Sequence, residues 1–196
     1  MKIFIAGPRA VSKLNKSVEN RLFNIYNNNF TVFVGDANGV DKLIQNFYFN
    51  LNYTNVVVFA SKGLARNNIG NWPIENVTVD DKIKGFDFYV QKDIAMAKKA
   101  DYGLMIWNGI SKGTLNNVIN LVSANKKVLI YFVPHDKFIL IDNILELNQL
   151  ISICSLETKK VYKKLINGTS LSARQVSIFE QIDSKINEPN RACHLT

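Results

Sequence analysis

At 196 residues, with 47% hydrophobic and 20% charged residues and a mean hydropathy of -0.02, the chain has the length for one well-buried α/β domain with an appendage, and its composition excludes disorder as the default state. Net charge is +8, and the excess is uneven: residues 1–140 hold 17 Lys+Arg against 10 Asp+Glu, residues 141–196 hold 7 against 6. A basic first part favours an anionic partner, a nucleotide or a nucleic acid, although solvated lysines alone as readily give such a charge.

Apolar runs bounded by turn residues follow one another in chain order. Residues 3–6 (IFIA) read as a first strand and are too short for the apolar core of a leader peptide. Leu14, Val18, Leu22 and Ile25 recur at helical spacing over 14–26, and the asparagines at 27–29 end that helix. A strand is expected at 31–34, a helix at 40–51 with Leu43, Ile44, Phe47 and Leu51 on one face, and a β-branched strand at 55–60. Residues 61–86 lack a period, hold glycines, a proline and asparagines, and read as a long irregular excursion of the kind that often carries function. A helix over 87–99 with Phe88, Ile94, Ala95 and Met96 inward, a strand at 103–107, a helix at 115–124 and a strand at 128–133 complete the pattern. Five strands joined by helices or crossovers argue for an α/β fold with a parallel, doubly wound sheet. Pro134 interrupts, and from Ile139 the text turns helical, with Ser172 placed to cap a last helix. No window reaches the roughly 18 apolar residues of a membrane helix, so no membrane partner is expected.

In an open parallel sheet, ligands sit at the carboxyl ends of the strands where strand order reverses. Three turns leave such ends: Gly7-Pro8-Arg9, then Gly35-Asp36-Ala37-Asn38-Gly39 with Asp41 in the following helix, then Ser111-Lys112-Gly113-Thr114. Each offers a reason to hold phosphate, through bare backbone N–H groups at glycine, a helix start, hydroxyls at Ser111 and Thr114, or a cation at Arg9 or Lys112. Singly, such a turn is more readily a tight connection, and Asp36 and Asp41 a turn residue and a first-turn acid. If the first and fourth expected strands are neighbours, the loops converge on one crevice.

Other chemistry is thin. His135 and His194 are too few and too separate for a metal cluster or a triad, no G-x-S-x-G occurs, and Cys154 and Cys193 form no C-x-x-C pair. That cysteine usage fits a reducing compartment, and a cytoplasmic location is expected. Trp72 and Trp107 are better read as packing than as base-stacking residues. Lys159, Lys160, Lys163 and Lys164 make a basic helical face, read first as a solvated surface and second as a nucleic-acid contact.

At these motifs the chain resembles the SLOG superfamily, which groups Rossmann-like nucleotide-binding domains with the "Lonely guy" phosphoribohydrolases and the DNA-processing protein of natural transformation. Residues 2–9 look like its first strand and loop, GDANGVDKL at 35–43 is similar to its G-x-A-x-G-x-D turn, and SKGT at 111–114 is similar to its second phosphate loop. Lys92-Asp-Ile-Ala-Met96 followed by Ala100-Asp101 looks like the helix and aspartate before the fourth strand. The resemblance covers residues 1–133 and implies a nucleotide-binding domain over 1–138 with a Rossmann-like five-stranded sheet, followed by a helical C-terminal extension over 139–196. The phosphoribohydrolases write their second loop P-G-G-x-G-T-x-x-E and use the glutamate on the bond between ribose and base; here that position is Asn117, and Lys92-Asp93 replaces an Arg-Lys pair. An amide hydrogen-bonds a ribose or base but does not act as a carboxylate nucleophile or base. The start MKIFIAGP also resembles the nucleoside deoxyribosyltransferases, whose glutamate has no counterpart between Thr114 and Lys127.

The resemblance therefore implies a protein that holds a nucleotide-derived ligand of the ADP-ribose or nucleoside-phosphate type through Gly7, Pro8, Arg9, Gly35, Asp36, Asn38, Gly39, Asp41, Lys92 and the Ser111–Thr114 loop, with Asn117 nearby. No cofactor is expected, and a homo-oligomer is. Two alternatives stand beside it: a nucleotide N-glycosidase or deoxyribosyltransferase, which would have to draw a carboxylate from Asp36, Asp41, Asp87 or Asp93, and a nucleic-acid-binding protein.

Overall fold

The computed structural model describes residues 1–63 and 65–167. Strands β1 (Lys2–Ala6), β2 (Thr31–Gly35), β3 (Val56–Ser61), β4 (Ile74–Val77), β5 (Tyr102–Trp107), β6 (Val128–Phe132) and β7 (Lys137–Ile141) form one sheet in the order β4-β3-β2-β1-β5-β6-β7. Helices α1 (Lys16–Asn27), α2 (Val40–Asn50), α3 (Gly85–Lys99), α4 (Lys112–Ser123), α5 (Ile144–Ser152) and α6 (Leu156–Asn167) flank it. The fold is α/β, doubly wound and Rossmann-like, and the expected five strands are corrected to seven.

Both added strands lie at the sheet's edges, where the sequence signal is weakest. β4 (IENV) pairs parallel with β3, in the register Val58↔Ile74, inside the stretch read as irregular; its alternate residues face solvent, so no apolar run marks it. β7 (KFILI) pairs antiparallel with β6, Val128↔Ile141, through a turn at Val133–His135 that ends with Asp136 in the left-handed region at φ 48°. Its apolar residues run straight into those of α5, which is why the text from Ile139 reads as continuous helix; the helix begins only at Ile144, and β7 crosses the 138/139 boundary. The cap expected at Ser172 lies outside the described residues.

Alternation along the strands sorts the core into two layers. Ile3, Ile5, Val32 and Val34 face Val18 and Leu22 of α1 and Val40 and Ile44 of α2. Phe4, Phe33 and Phe59 face Met96 and Ala97 of α3 and Leu115, Val118 and Ile119 of α4, and Leu147, Leu150 and Tyr162 of α5 and α6 extend that second layer. Fully burying an aliphatic or aromatic side chain of this kind contributes about 1.5–3 kcal/mol before chain entropy is counted. At the opposite end of the sheet from the glycine loops, Asp101 ties β1 to β5, its carboxylate accepting from the Lys2 N–H at 2.7 Å and its own N–H donating to the Lys2 carbonyl at 2.8 Å.

β1 lies between β2 and β5. The helices that follow β1 and β2 cover one face, and those flanking β5 cover the other, so the loops leaving β1 and β5 part company at their carboxyl ends and open a crevice between them. Among the described residues, no helix is long and apolar enough to cross a membrane.

Candidate functional site

The crevice, of about 530 Å³, lies over that switch point and is walled by the β1 loop, the first turn of α4 and one face of α3. Its first wall depends on two glycines. A Cβ on Gly7 would come within 2.7 Å of Val40 Cγ2 and 2.9 Å of the Ile106 carbonyl, and one on Gly39, at φ 77°, would run into the Arg9 backbone. The Gly39 turn thus lets α2 start directly beneath the β1 loop, where the Val40 N–H donates to the Pro8 carbonyl at 3.2 Å.

The second wall is the loop from β5 to α4. Asn108 Oδ1 accepts from the Ser111 N–H at 2.9 Å and the Ile110 N–H at 3.2 Å, an Asx turn that sets the loop's path, and Gly109 takes φ 80°. Below it Trp107, fully buried, donates its indole N–H to the Ser111 carbonyl at 3.2 Å. Thr158 of α6 donates its hydroxyl to the Gly109 carbonyl at 2.7 Å. Ser111 caps α4, its Oγ accepting from the Thr114 N–H at 3.4 Å and the Thr114 hydroxyl at 3.0 Å. The N–H groups of Lys112 and Gly113 belong to the unpaired first turn of the helix. A Cβ built on Gly113 meets nothing within 4 Å.

A charged floor closes the crevice. Lys92 is buried, with Nζ 3.0 Å from Asp93 Oδ1 and 3.9 Å from Asp36 Oδ1. A Cβ on Gly35 would sit 2.6 Å from Lys92 Nζ and collide with Asp41 Oδ2, so this glycine makes room for the pair. Burial pulls the Lys92 ammonium down, but Asp93, Asp41 and Asp36 outweigh it and hold the group above its ordinary value. Burial pushes the Asp41 carboxyl up to about 6, with Lys92 pulling against it and Asp93 adding to it; Asp41 Oδ2 accepts from the Ala37 N–H at 3.2 Å. The Asn117 amide, in the orientation its neighbours satisfy, donates to Asp93 Oδ2 at 3.2 Å and the Gly113 carbonyl at 3.3 Å. Asn117 of α4 therefore braces an aspartate supplied by α3.

The structure sorts the expected residues into two groups. Gly7, Pro8, Arg9, Asp41, Lys92, Ser111, Lys112, Gly113, Thr114 and Asn117 line the crevice. Gly35, Asp36, Asn38 and Gly39 lie behind its walls. Asp36 is held by Arg66, and Asn38 Oδ1 accepts from the Asn67 amide at 3.2 Å, so the polar groups of this turn brace the chain that follows β3. Of the other carboxylates considered, Asp93 lines the crevice and Asp87 does not. Trp72 is packed, donating to the Tyr53 carbonyl at 2.7 Å.

Sequence reasoning named Asp93 and Met96 but missed the aromatic rim beside them. Phe86, Tyr89, Val90, Asp93 and Met96 lie at helical spacing on the face of α3 that lines the crevice. Phe86 and Tyr89 are 36% and 40% exposed, and Ile110, across the mouth, is 69% exposed. Arg9 and Arg66 each rest over the Tyr89 ring, at 5.0 and 5.1 Å from its centroid, and Lys112 Nζ lies 3.9 Å above that of Phe86. The i, i+3, i+7 recurrence from Phe86 was the available signal, hidden by reading residues up to 86 as irregular.

Compared with models of protein families, with curated proteins and with solved structures, the chain matches none.

Proposed function

We propose that the chain binds a nucleotide or nucleotide-derived ligand, of the nucleoside-phosphate or ADP-ribose type, in the crevice at the carboxyl ends of β1 and β5, as a sensing, sequestering or regulatory protein. The observation that carries the reading is Gly113. Its φ is not in the left-handed region and a Cβ there meets nothing within 4 Å, so neither backbone nor packing calls for glycine. Glycine in a helix costs about 1 kcal/mol relative to alanine, and what it supplies here is bare backbone N–H at the positive end of the α4 dipole, open to an anion. The Ser111 and Thr114 hydroxyls flank those N–H groups, and Lys112 and Arg9 bring cations from the two walls.

The floor fits the other part of such a ligand. Carboxylates repel phosphate and accept hydrogen bonds from hydroxyls, so Asp93, with Asn117 beside it, suits a ribose while the phosphate stays at the loops. Calorimetry of the chain against AMP, ADP and ADP-ribose, with Gly113→Glu as control, tests this. Binding by the wild type and its loss in the variant are expected; no heat from any of the three overturns the reading.

One observation favours a second reading, cleavage of the bond between ribose and base: Asp93 brings a carboxylate to the crevice in contact with Asn117. Release of free base from nucleoside monophosphates, followed by chromatography and abolished in Asp93→Asn, is the expected outcome on that reading.

A further inference from the structure

The aromatic rim is not needed for the phosphate and ribose contacts proposed above, yet it concentrates exposed apolar side chains along the crevice. Three large side chains that face solvent, Phe86, Tyr89 and Ile110, meet there, and exposed apolar residues grouped around a polar site mark a binding surface rather than random exposure. Both rings carry cations. Aromatic faces that accept a cation also accept a flat heterocycle, and stacking of a base on such a ring is sequence-tolerant because every base has a π-face.

We propose that Tyr89 and Phe86 form the platform on which the planar base of the ligand stacks, and that Arg9 and Lys112 couple base binding to phosphate binding by leaving the rings for the phosphate. The proposal rests on the nucleotide reading above and names the residues that select for a base. The cations on the rings differ in how they are held. Arg66 is fixed to Asp36 by two side-chain hydrogen bonds, at 2.9 and 2.7 Å, and stays beside Tyr89. Arg9 and Lys112 have no salt bridge among the described residues and come from the two walls assigned to the anion. A phosphate between the walls attracts both, and each departure bares a ring face. Phosphate and base then bind with positive coupling, since part of the work of uncovering the rings is done once for both groups.

AMP and ribose 5-phosphate share phosphate and ribose and differ by the base, so their affinities separate the two readings. The wild-type chain is expected to bind AMP on the order of tenfold or more tightly than ribose 5-phosphate, from the strength of base stacking on aromatic rings. Tyr89→Ala and Phe86→Ala are expected to lose most of that ratio while keeping or raising the affinity for ribose 5-phosphate, since Arg9 and Lys112 then have no ring to leave, which also shows that they fold; Tyr89→Trp keeps the ratio. Arg9→Ala and Lys112→Ala are expected to weaken both ligands. If the variants Tyr89→Ala and Phe86→Ala leave the AMP to ribose 5-phosphate ratio unchanged, the stacking proposal is overturned while the phosphate reading stands. If the wild type binds neither compound, the nucleotide reading fails and the platform with it.

Discussion

Arg66 holds Asp36 with both arms of its guanidinium, Nε to Oδ2 at 2.9 Å and Nη2 to Oδ1 at 2.7 Å, and its backbone N–H adds a third bond to Oδ2 at 3.2 Å. The carboxylate is buried and the guanidinium half-exposed, so the pair fastens the chain after β3 over the end of β2. Burial works against ionisation of Asp36, but the Arg66 bonds and Lys92 outweigh it and hold the carboxyl below its ordinary value.

Arg66→Ala is therefore expected to destabilise the fold by about 1–3 kcal/mol, the cost of leaving a buried carboxylate short of partners, lowered by the solvent on the arginine side. A depressed carboxylate contributes stability that is full above its unfolded value near 4 and is lost as pH falls through its folded value. Urea unfolding should show the gap between wild type and variant at pH 7 and its shrinkage below about pH 4. A gap that persists undiminished at pH 3 would count against the ion pair as its source.

Asp41 gives the opposite sign. With its folded value pushed up to about 6, the native state holds more protons than the unfolded chain between about pH 4 and 6, so this group's contribution is full below that window and declines as pH rises through it. The decline amounts to about 3 kcal/mol for a shift of this size. Asp41→Asn should lose this component of the decline, measurable as a flatter plot of unfolding free energy against pH from 4 to 6.5. An unaltered slope would show that Asp41 is not the source of the decline.

Gly113→Ala separates folding from binding. The backbone there accepts a side chain and the space is open, so the variant should unfold at the same or a higher urea concentration, by a few tenths to about 1 kcal/mol. The same methyl group stands in the way of an anion at the α4 N-terminus, so AMP binding should weaken tenfold or more. Loss of both stability and binding would make Gly113 a structural residue.

The alternation of strands and helices was legible because it rests on local signals, an apolar run followed by turn residues, and the meeting of the Gly7 and Ser111 loops followed from the usual doubly wound strand order, which the pairing of β1 with β5 matches. Long-range partners left no such trace. Nothing near Asp36 announces an arginine 30 residues away, so the sequence did not show that this turn also bonds to Arg66 and Asn67. Lys92 was reached only through a motif, because a lysine on a helix reads as solvated until three aspartates are placed around it. β4 was illegible for a different reason, since an edge strand half-open to water needs no apolar sequence.

The Thr158 hydroxyl on the Gly109 carbonyl makes α6 a strut for the loop that opens α4. Thr158→Val would remove the strut while leaving Tyr162 in the core, and the expected result is a protein that still holds its sheet but presents Ser111 and Gly113 loosely.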